Sequence, residues 1–221
     1  LRDAVTGCQA CGLCQGRTQT VFGVGDTAAD WMVVGEAPGE QEDLQGEPFV
    51  GPSGQLLDNM LKAIGLSRHA GAGGEGANGG SATRGVYIAN VVKCRPPGNR
   101  DPLPEELATC NDYLEAQINT IHPLVVVTLG RFSMARFIPN VRISDVHGKP
   151  RWVGDRLIVP MYHPAAALHQ PSLRSTVERD FSHLAEWLAQ ARRKIGDRTL
   201  VIEPAEEAKP PEDKPTQLSL F

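Results

Sequence analysis

The chain is 221 residues long, 41% hydrophobic and 22% charged, enough for one mid-sized domain with a genuine core. No run approaches the roughly 20 apolar residues that a membrane helix requires, which excludes a spanning segment, and no leader-peptide pattern is visible in a sequence that opens on Leu1. The formal charge of −4 argues against a broadly basic nucleic-acid-binding coat, yet Glu203 to Phe221 alone carry −3, so the body is near neutral and compatible with a local basic groove.

Residues 1–30 are rich in Cys and Gly and poor in periodicity, and read as a loop-like cap. Trp31 to Gly35 is an apolar run ending in glycine, the pattern of a buried strand. Ser53 opens an amphipathic helix with Leu56, Leu57, Met60, Leu61 and Ile64 on one face, closing near Gly65. The stretch around 69–84 is dominated by small and polar residues and reads as a flexible insertion. Val86 to Val92 predicts a second strand. Pro104 followed by Glu105 and Glu106 starts a helix carrying Leu107, Leu114 and Ile118. Leu124 to Leu129 and Leu157 to Tyr162 predict two more strands, with a short helix between them from Gly130 or Arg131. Val177, Phe181, Leu184 and Leu188 mark one final helix. The domain is expected to end near residue 198, before a Glu-, Lys- and Pro-rich tail at 199–221 whose composition cannot bury a core.

Strands alternating with helices predict an α/β fold of three layers, α/β/α, around a central, mainly parallel four-stranded sheet. Ligands bind such sheets beyond the carboxyl ends of the strands. Those ends carry Gly35 to Asp43, Asn90, and His163-Pro164. An Asn amide pairs with a base edge that offers a donor beside an acceptor, a His can donate to a developing oxyanion, and a Glu can activate water. Pro164 restrains His163 to extended geometry. Phe49, flanked by Gly46 and Gly51, can offer a ring face for stacking or serve as an ordinary core residue.

Five cysteines, an odd number, fit a reducing cytoplasm and metal binding better than a disulfide framework. Cys8 and Cys11 form a C-x2-C pair, and Cys94 and Cys110 have 15 residues between them. Two distant thiolate pairs suit zinc or an iron–sulfur cluster, and the wide second pair favours a 4Fe–4S cluster without deciding the matter. Cys14 makes a further pair with Cys11.

Gly35-Glu-Ala-Pro-Gly39 with Glu42-Asp43, Pro48-Phe-Val-Gly51, Asn90 to Pro97, and His163-Pro164 closely resemble the family 4 uracil-DNA glycosylases, in family order and spacing from about Cys8 to Leu188. The resemblance implies a uracil-DNA glycosylase-like fold and a DNA-repair enzyme that flips deoxyuridine out of DNA and hydrolyses its N-glycosidic bond. It implies Cys8, Cys11, Cys94 and Cys110 as 4Fe–4S ligands, leaving Cys14 out. Phe49 would stack on uracil, Asn90 would read its pairing edge, His163 would donate to O2, and Gly35, Ala37 and their neighbours would line the water side. Ala37 stands where better-known superfamily members carry a water-activating Asp, so Glu36 or Glu42 is the candidate substitute. Gly39 stands where those relatives carry a thymine-excluding Tyr. Asn99 is expected to hydrogen-bond Glu42 and hold its loop, and Lys93, Arg95 and Arg100 form the expected phosphate patch.

Gln217-Leu218-Ser-Leu220-Phe221 resembles the bacterial sliding-clamp-binding pentapeptide, and the acidic linker before it suits a tethered motif. The expected partners are uracil-containing DNA and a clamp, for a monomer with no membrane contact. The rivals are a family 5-type glycosylase of broader base preference, whose first motif lacks the Glu seen at Glu36, and a non-catalytic iron–sulfur DNA-binding or redox module.

Overall fold

A computed structural model describes residues 1–69 and 84–195. The centre of the glycine-rich insertion and the tail, including Gln217 to Phe221, lie outside the described residues.

Four strands form the middle of a six-stranded sheet: β2 (Trp31–Gly35), β5 (Tyr87–Asn90), β6 (Val125–Leu129) and β8 (Arg156–Met161), parallel in the order β5-β2-β6-β8. Two short antiparallel strands, β1 (Val24–Gly25) beside β5 and β7 (Arg151–Val153) beside β8, close its edges and were not expected. A separate parallel pair, β3 (Leu66–Ser67) with β4 (Arg84–Gly85), brings the two ends of the insertion together.

Side chains alternate across the sheet with a period of two. Trp31 and Val33 enter one apolar cluster and Met32 and Val34 the other. The first cluster is covered by α3 (Pro52–Ala63) and by α8 (Arg174–Ser182) and α9 (Leu184–Ile195), through Leu57, Leu61, Phe181 and Leu188. The second is covered by α4 (Pro104–Ile121), α5 (Arg131–Ala135) and α6 (Ile143–Val146), through Leu114, Ile118, Met134 and Val146. Burial on both faces explains why these strands read as unbroken apolar runs. The three-layer α/β/α expectation holds.

Three local differences have physical causes. The N-terminal cap contains a short helix, α1 (Arg2–Thr6), and a 3-10 turn at Gly12–Gln15. The expected final helix breaks at His183, where Ser182 Oγ and His183 Nδ1 both contact the Arg179 carbonyl, at 2.7 and 2.9 Å. Such side-chain bonds compete with the helical ladder. Two further helices, α2 (Glu40–Gln45) and α7 (Pro164–His169), follow the carboxyl ends of β2 and β8.

From β2 the chain adds β5 on one side, then β6 and β8 on the other. The strand order therefore reverses at β2, which opens a crevice at the carboxyl ends of the parallel strands.

Candidate active site

That crevice is a cavity of about 600 Å³ lined by Glu36, Ala37, Glu42, Phe49, Asn90, Asn99 and His163 among others. Sequence reasoning thus selected residues that the fold brings together. Gly35 lies just behind the wall. A Cβ there would come within 2.4 Å of Asn90 Oδ1 and 2.5 Å of the Phe49 ring, so only glycine allows both side chains to seat.

Asn90 sits opposite Gly35 in the β2–β5 register and is 2% exposed. Its Oδ1 is buried without a hydrogen-bond partner. An unsatisfied buried acceptor costs about 1–3 kcal/mol, so its retention beside a cavity points to a partner that arrives with a ligand. The Asn90 main-chain carbonyl is held from behind by Lys93 Nζ at 2.7 Å.

His163 caps α7. Its Nδ1 accepts a hydrogen bond from the Ala165 backbone N–H at 3.1 Å, which leaves Nε2–H as the donor of the neutral ring. Burial pulls its pKa from 6.5 down to about 4, against the opposing pull of Glu42. The residue is therefore a neutral donor at physiological pH. Its φ of −65° and ψ of 138° match the restraint expected from Pro164.

The Phe49 ring stacks near the His163 ring, with centroids 5.5 Å apart and planes 24° from parallel. Phe49 is 6% exposed and belongs to the main core cluster, so its core and pocket-lining roles coincide. Its φ of 56° is unusual for a bulky residue, and strain of this kind persists only where surroundings impose it. Buried Arg68, which sequence reasoning missed, donates to the Phe49 carbonyl at 3.0 Å and to the Pro48 carbonyl, and pairs with Asp58 at 2.7 Å. A Cβ on Gly54 would fall 1.7 Å from the Phe49 carbonyl oxygen, so α3 packs directly against this loop.

The two candidate carboxylates differ. Glu42 accepts from the backbone N–H groups of Gly39 at 3.1 Å and of Val50 and Gly51 at 2.9 Å. It staples the two pocket loops, and both of its oxygens are engaged. Glu36 makes no side-chain hydrogen bond to another described residue. Burial raises its pKa from 4.5 to about 7, assisted by Asp101 and opposed by Arg131. Glu36 is thus the carboxylate placed to exchange a proton near neutral pH.

Two expectations need correction. Asn99 does not reach Glu42: its Oδ1 accepts instead from Arg95 Nε at 2.8 Å, while Glu42 is occupied by backbone N–H groups. Lys93 does not belong to a phosphate patch. It is 1% exposed and lies behind the pocket, where burial pulls its pKa down to about 8. Arg100 lines the cavity but is committed to a two-pronged pair with Glu106, at 2.7 and 2.9 Å. Arg95 and Arg131 remain as partly exposed cations near the mouth, each with an acidic neighbour, Glu40 and Asp101 respectively.

All five cysteines, Cys14 included, line a second small cavity between the N-terminal cap and α4, walled by Val5 and Leu13. None of them is paired in a disulfide. Cys94 Sγ accepts from Arg17 at 3.2 Å, and Cys110 Sγ accepts from the Lys93 backbone N–H at 3.3 Å. Burial pushes the Cys110 thiol up to about 11, so a bound cation would be needed to hold it as thiolate. Among the described residues no three ligating side chains converge on a single metal ion. A polynuclear cluster spreads its thiolates over separate irons, and N–H donors aimed at sulfur suit it. The residues present fit such a group.

Comparison with known proteins agrees with this geometry. The family described as the uracil DNA glycosylase superfamily matches residues 22–191. The chain is 45% identical to the type-4 uracil-DNA glycosylase of Archaeoglobus fulgidus, over 82% of this chain and 88% of that protein. It is 42% identical to that of Sulfurisphaera tokodaii, over 87% and 86%. Against a type-5 uracil-DNA glycosylase of Pyrobaculum aerophilum the identity is 32%, over 78% and 75%. The chain belongs to the uracil DNA glycosylase superfamily and, within it, to the type-4 uracil-DNA glycosylases.

Proposed function

We propose that this protein is a base-excision-repair enzyme that extrudes deoxyuridine from DNA, releases free uracil and leaves an abasic site. The observation that carries this reading is the buried, unpaired Asn90 Oδ1 beside the Nε2–H of a neutral His163 in one cavity. Uracil offers an N3–H donor to that oxygen, and its O4 accepts from the same amide. Cytosine reverses both, at about 1–3 kcal/mol for each buried group left unpaired. Flipping a base costs a few kcal/mol, least where it is already mispaired.

In the pocket Phe49 stacks on the base and His163 donates to O2. The bond between sugar C1′ and uracil N1 breaks with its electron pair passing to uracil, where charge spreads onto O2. The His163 donor stabilises that charge, and the sugar becomes cationic. A water then attacks C1′ and gives its proton to the Glu36 carboxylate, while Glu42 holds the loop. Arg95 and Arg131 are the candidate phosphate contacts at the rim.

Cys8, Cys11, Cys94 and Cys110 are the proposed ligands of a 4Fe–4S cluster. Bound there, it would tie the N-terminal cap to the β5–α4 connection and supply a redox centre. Gln217, Leu218, Leu220 and Phe221 are proposed to dock on a sliding clamp, supported by their pattern behind an acidic Pro-containing linker.

The deciding experiment is uracil release from a uracil-containing oligonucleotide, with thymine- and hypoxanthine-containing strands as controls. Free uracil and an abasic site are expected from the first strand only. DNA binding without uracil release would overturn the reading.

A further inference from the structure

Lys93 is the most deeply buried charged side chain described, and no step of the chemistry uses it. Its ammonium donates to the Asn90 main-chain carbonyl at 2.7 Å and to Gln117 Oε1 at 2.6 Å. Gln117, on α4, is itself fixed by its Nε2, which donates to the Phe22 carbonyl at 2.8 Å and to the Tyr87 hydroxyl at 3.1 Å. Lys93 makes no salt bridge to a carboxylate among the described residues. Its main chain is pinned as well: the carbonyl accepts from Val21 N–H at 2.8 Å, and the N–H donates to Cys110 Sγ at 3.3 Å. Lys93 also lines the thiol cavity.

A buried ammonium that lacks a carboxylate partner is costly, and a Met of similar length would fill the same volume without that cost. What Met cannot supply is two directed donors. One of them ends on the carbonyl of the Asn90–Val91 peptide, at the carboxyl end of β5; the N–H of that peptide donates to the Gly35 carbonyl at 3.0 Å, and Lys93 holds its opposite side. We propose that Lys93 is a positioning residue for uracil recognition: it locks the Asn90 peptide from the side of the thiol cavity, and so aims the Asn90 amide into the base pocket. This rests on the reading of Asn90 as the base-reading residue.

The test is a double-mutant cycle on the full-length, metal-loaded protein, using Asn90→Ala, Lys93→Met and the double variant. Single-turnover uracil release at saturating DNA is measured beside the Kd for the same DNA and the iron-to-protein ratio. Lys93→Met should slow single-turnover release about tenfold to a hundredfold, the range for loss of a hydrogen bond to a charged group. The Kd and iron content should stay at wild-type levels. In the Asn90→Ala background the same change should cost nothing further, because the residue through which Lys93 acts is gone. Losses that multiply in the double variant would overturn the proposal, and so would a wild-type rate in Lys93→Met. Should Lys93→Met fail to fold or to keep its iron, Gln117→Met takes its place. It removes the ammonium's second anchor and should give a smaller loss that again vanishes without Asn90, while an Asn90-independent loss or none overturns the proposal. Full activity in Asn90→Ala would instead sink the reading of Asn90 itself, a result separate from the failure of Lys93.

Discussion

Replacing His163 with Ala should slow single-turnover uracil release about 100- to 1000-fold, the cost of about 2.7–4 kcal/mol found when one preorganised oxyanion donor is removed. The structure supports the full effect because the donor is already prepared. Ala165 N–H occupies Nδ1 at 3.1 Å, so Nε2 carries the ring proton before any substrate arrives. The pH dependence is the sharper test. With its pKa held near 4 by burial, the imidazole remains neutral as pH falls through 6.5, and the rate should show no imidazole limb there. The linkage has a definite sign. Between 6.5 and about 4 the unfolded chain takes up a proton that the folded chain refuses, so the folded state loses stability as pH falls through that window, and His163→Ala should remove this slope. Single-turnover rates from about pH 5 to about pH 8, with denaturant midpoints at the same values, measure both effects. A wild-type rate that drops with a midpoint near 6.5, in a limb absent from His163→Ala, would refute the neutral-donor argument. An undiminished rate in the variant would refute the donor itself.

Four further outcomes are expected. Glu36, raised from 4.5 to about 7, should impose a rise in rate with pH centred near 7, and Glu36→Gln should flatten it; a Glu36→Gln enzyme that keeps the rise excludes Glu36 as the proton acceptor. The same shift means that the folded state loses stability as pH rises through that interval, so Glu36→Gln should be relatively more stable at pH 8 than at pH 5, as read from unfolding midpoints. Gly54→Ala puts a methyl 1.7 Å from the Phe49 carbonyl and should cost about 1–3 kcal/mol while weakening binding of free uracil, a pairing that calorimetry and a binding titration would detect; unaltered uracil affinity would show that the Phe49 loop moves independently of α3. Deleting Gln217 to Phe221 should abolish binding to a purified sliding clamp in a pull-down and leave uracil release intact, and retained clamp binding would exclude that motif.

The middle of the sheet was legible because it is buried on both faces. Trp31 to Gly35 and Leu124 to Leu129 needed no alternation to be read as strands, whereas β1 and β7, two and three residues long, are too short to carry any period. The break between α8 and α9 was hidden for a different reason. Val177, Phe181, Leu184 and Leu188 all enter one cluster, so the apolar stripe continues across a backbone interruption made by polar side chains.

The site divides along a similar line. Gly35, Asn90 and His163 were legible because a topological rule places ligands at strand ends, and that rule needs only the order of elements. Residues that act through backbone atoms were misread. Glu42 looks like a water-activating carboxylate until three N–H groups from two loops are seen to fill its oxygens. Arg68 has no apolar or catalytic signature at all, yet it holds the carbonyl behind the stacking ring. Lys93, next to Cys94 and two residues before Arg95, reads as a surface cation. Its burial follows from two long-range facts: β5 pairs beside β2, and α4 returns Gln117 to the carboxyl end of that strand. Local composition states what a side chain can do; the partner that claims it is set by contacts dozens of residues away. For that reason a sequence reading of this fold finds the groups that line the cavity more readily than the groups that hold them in place.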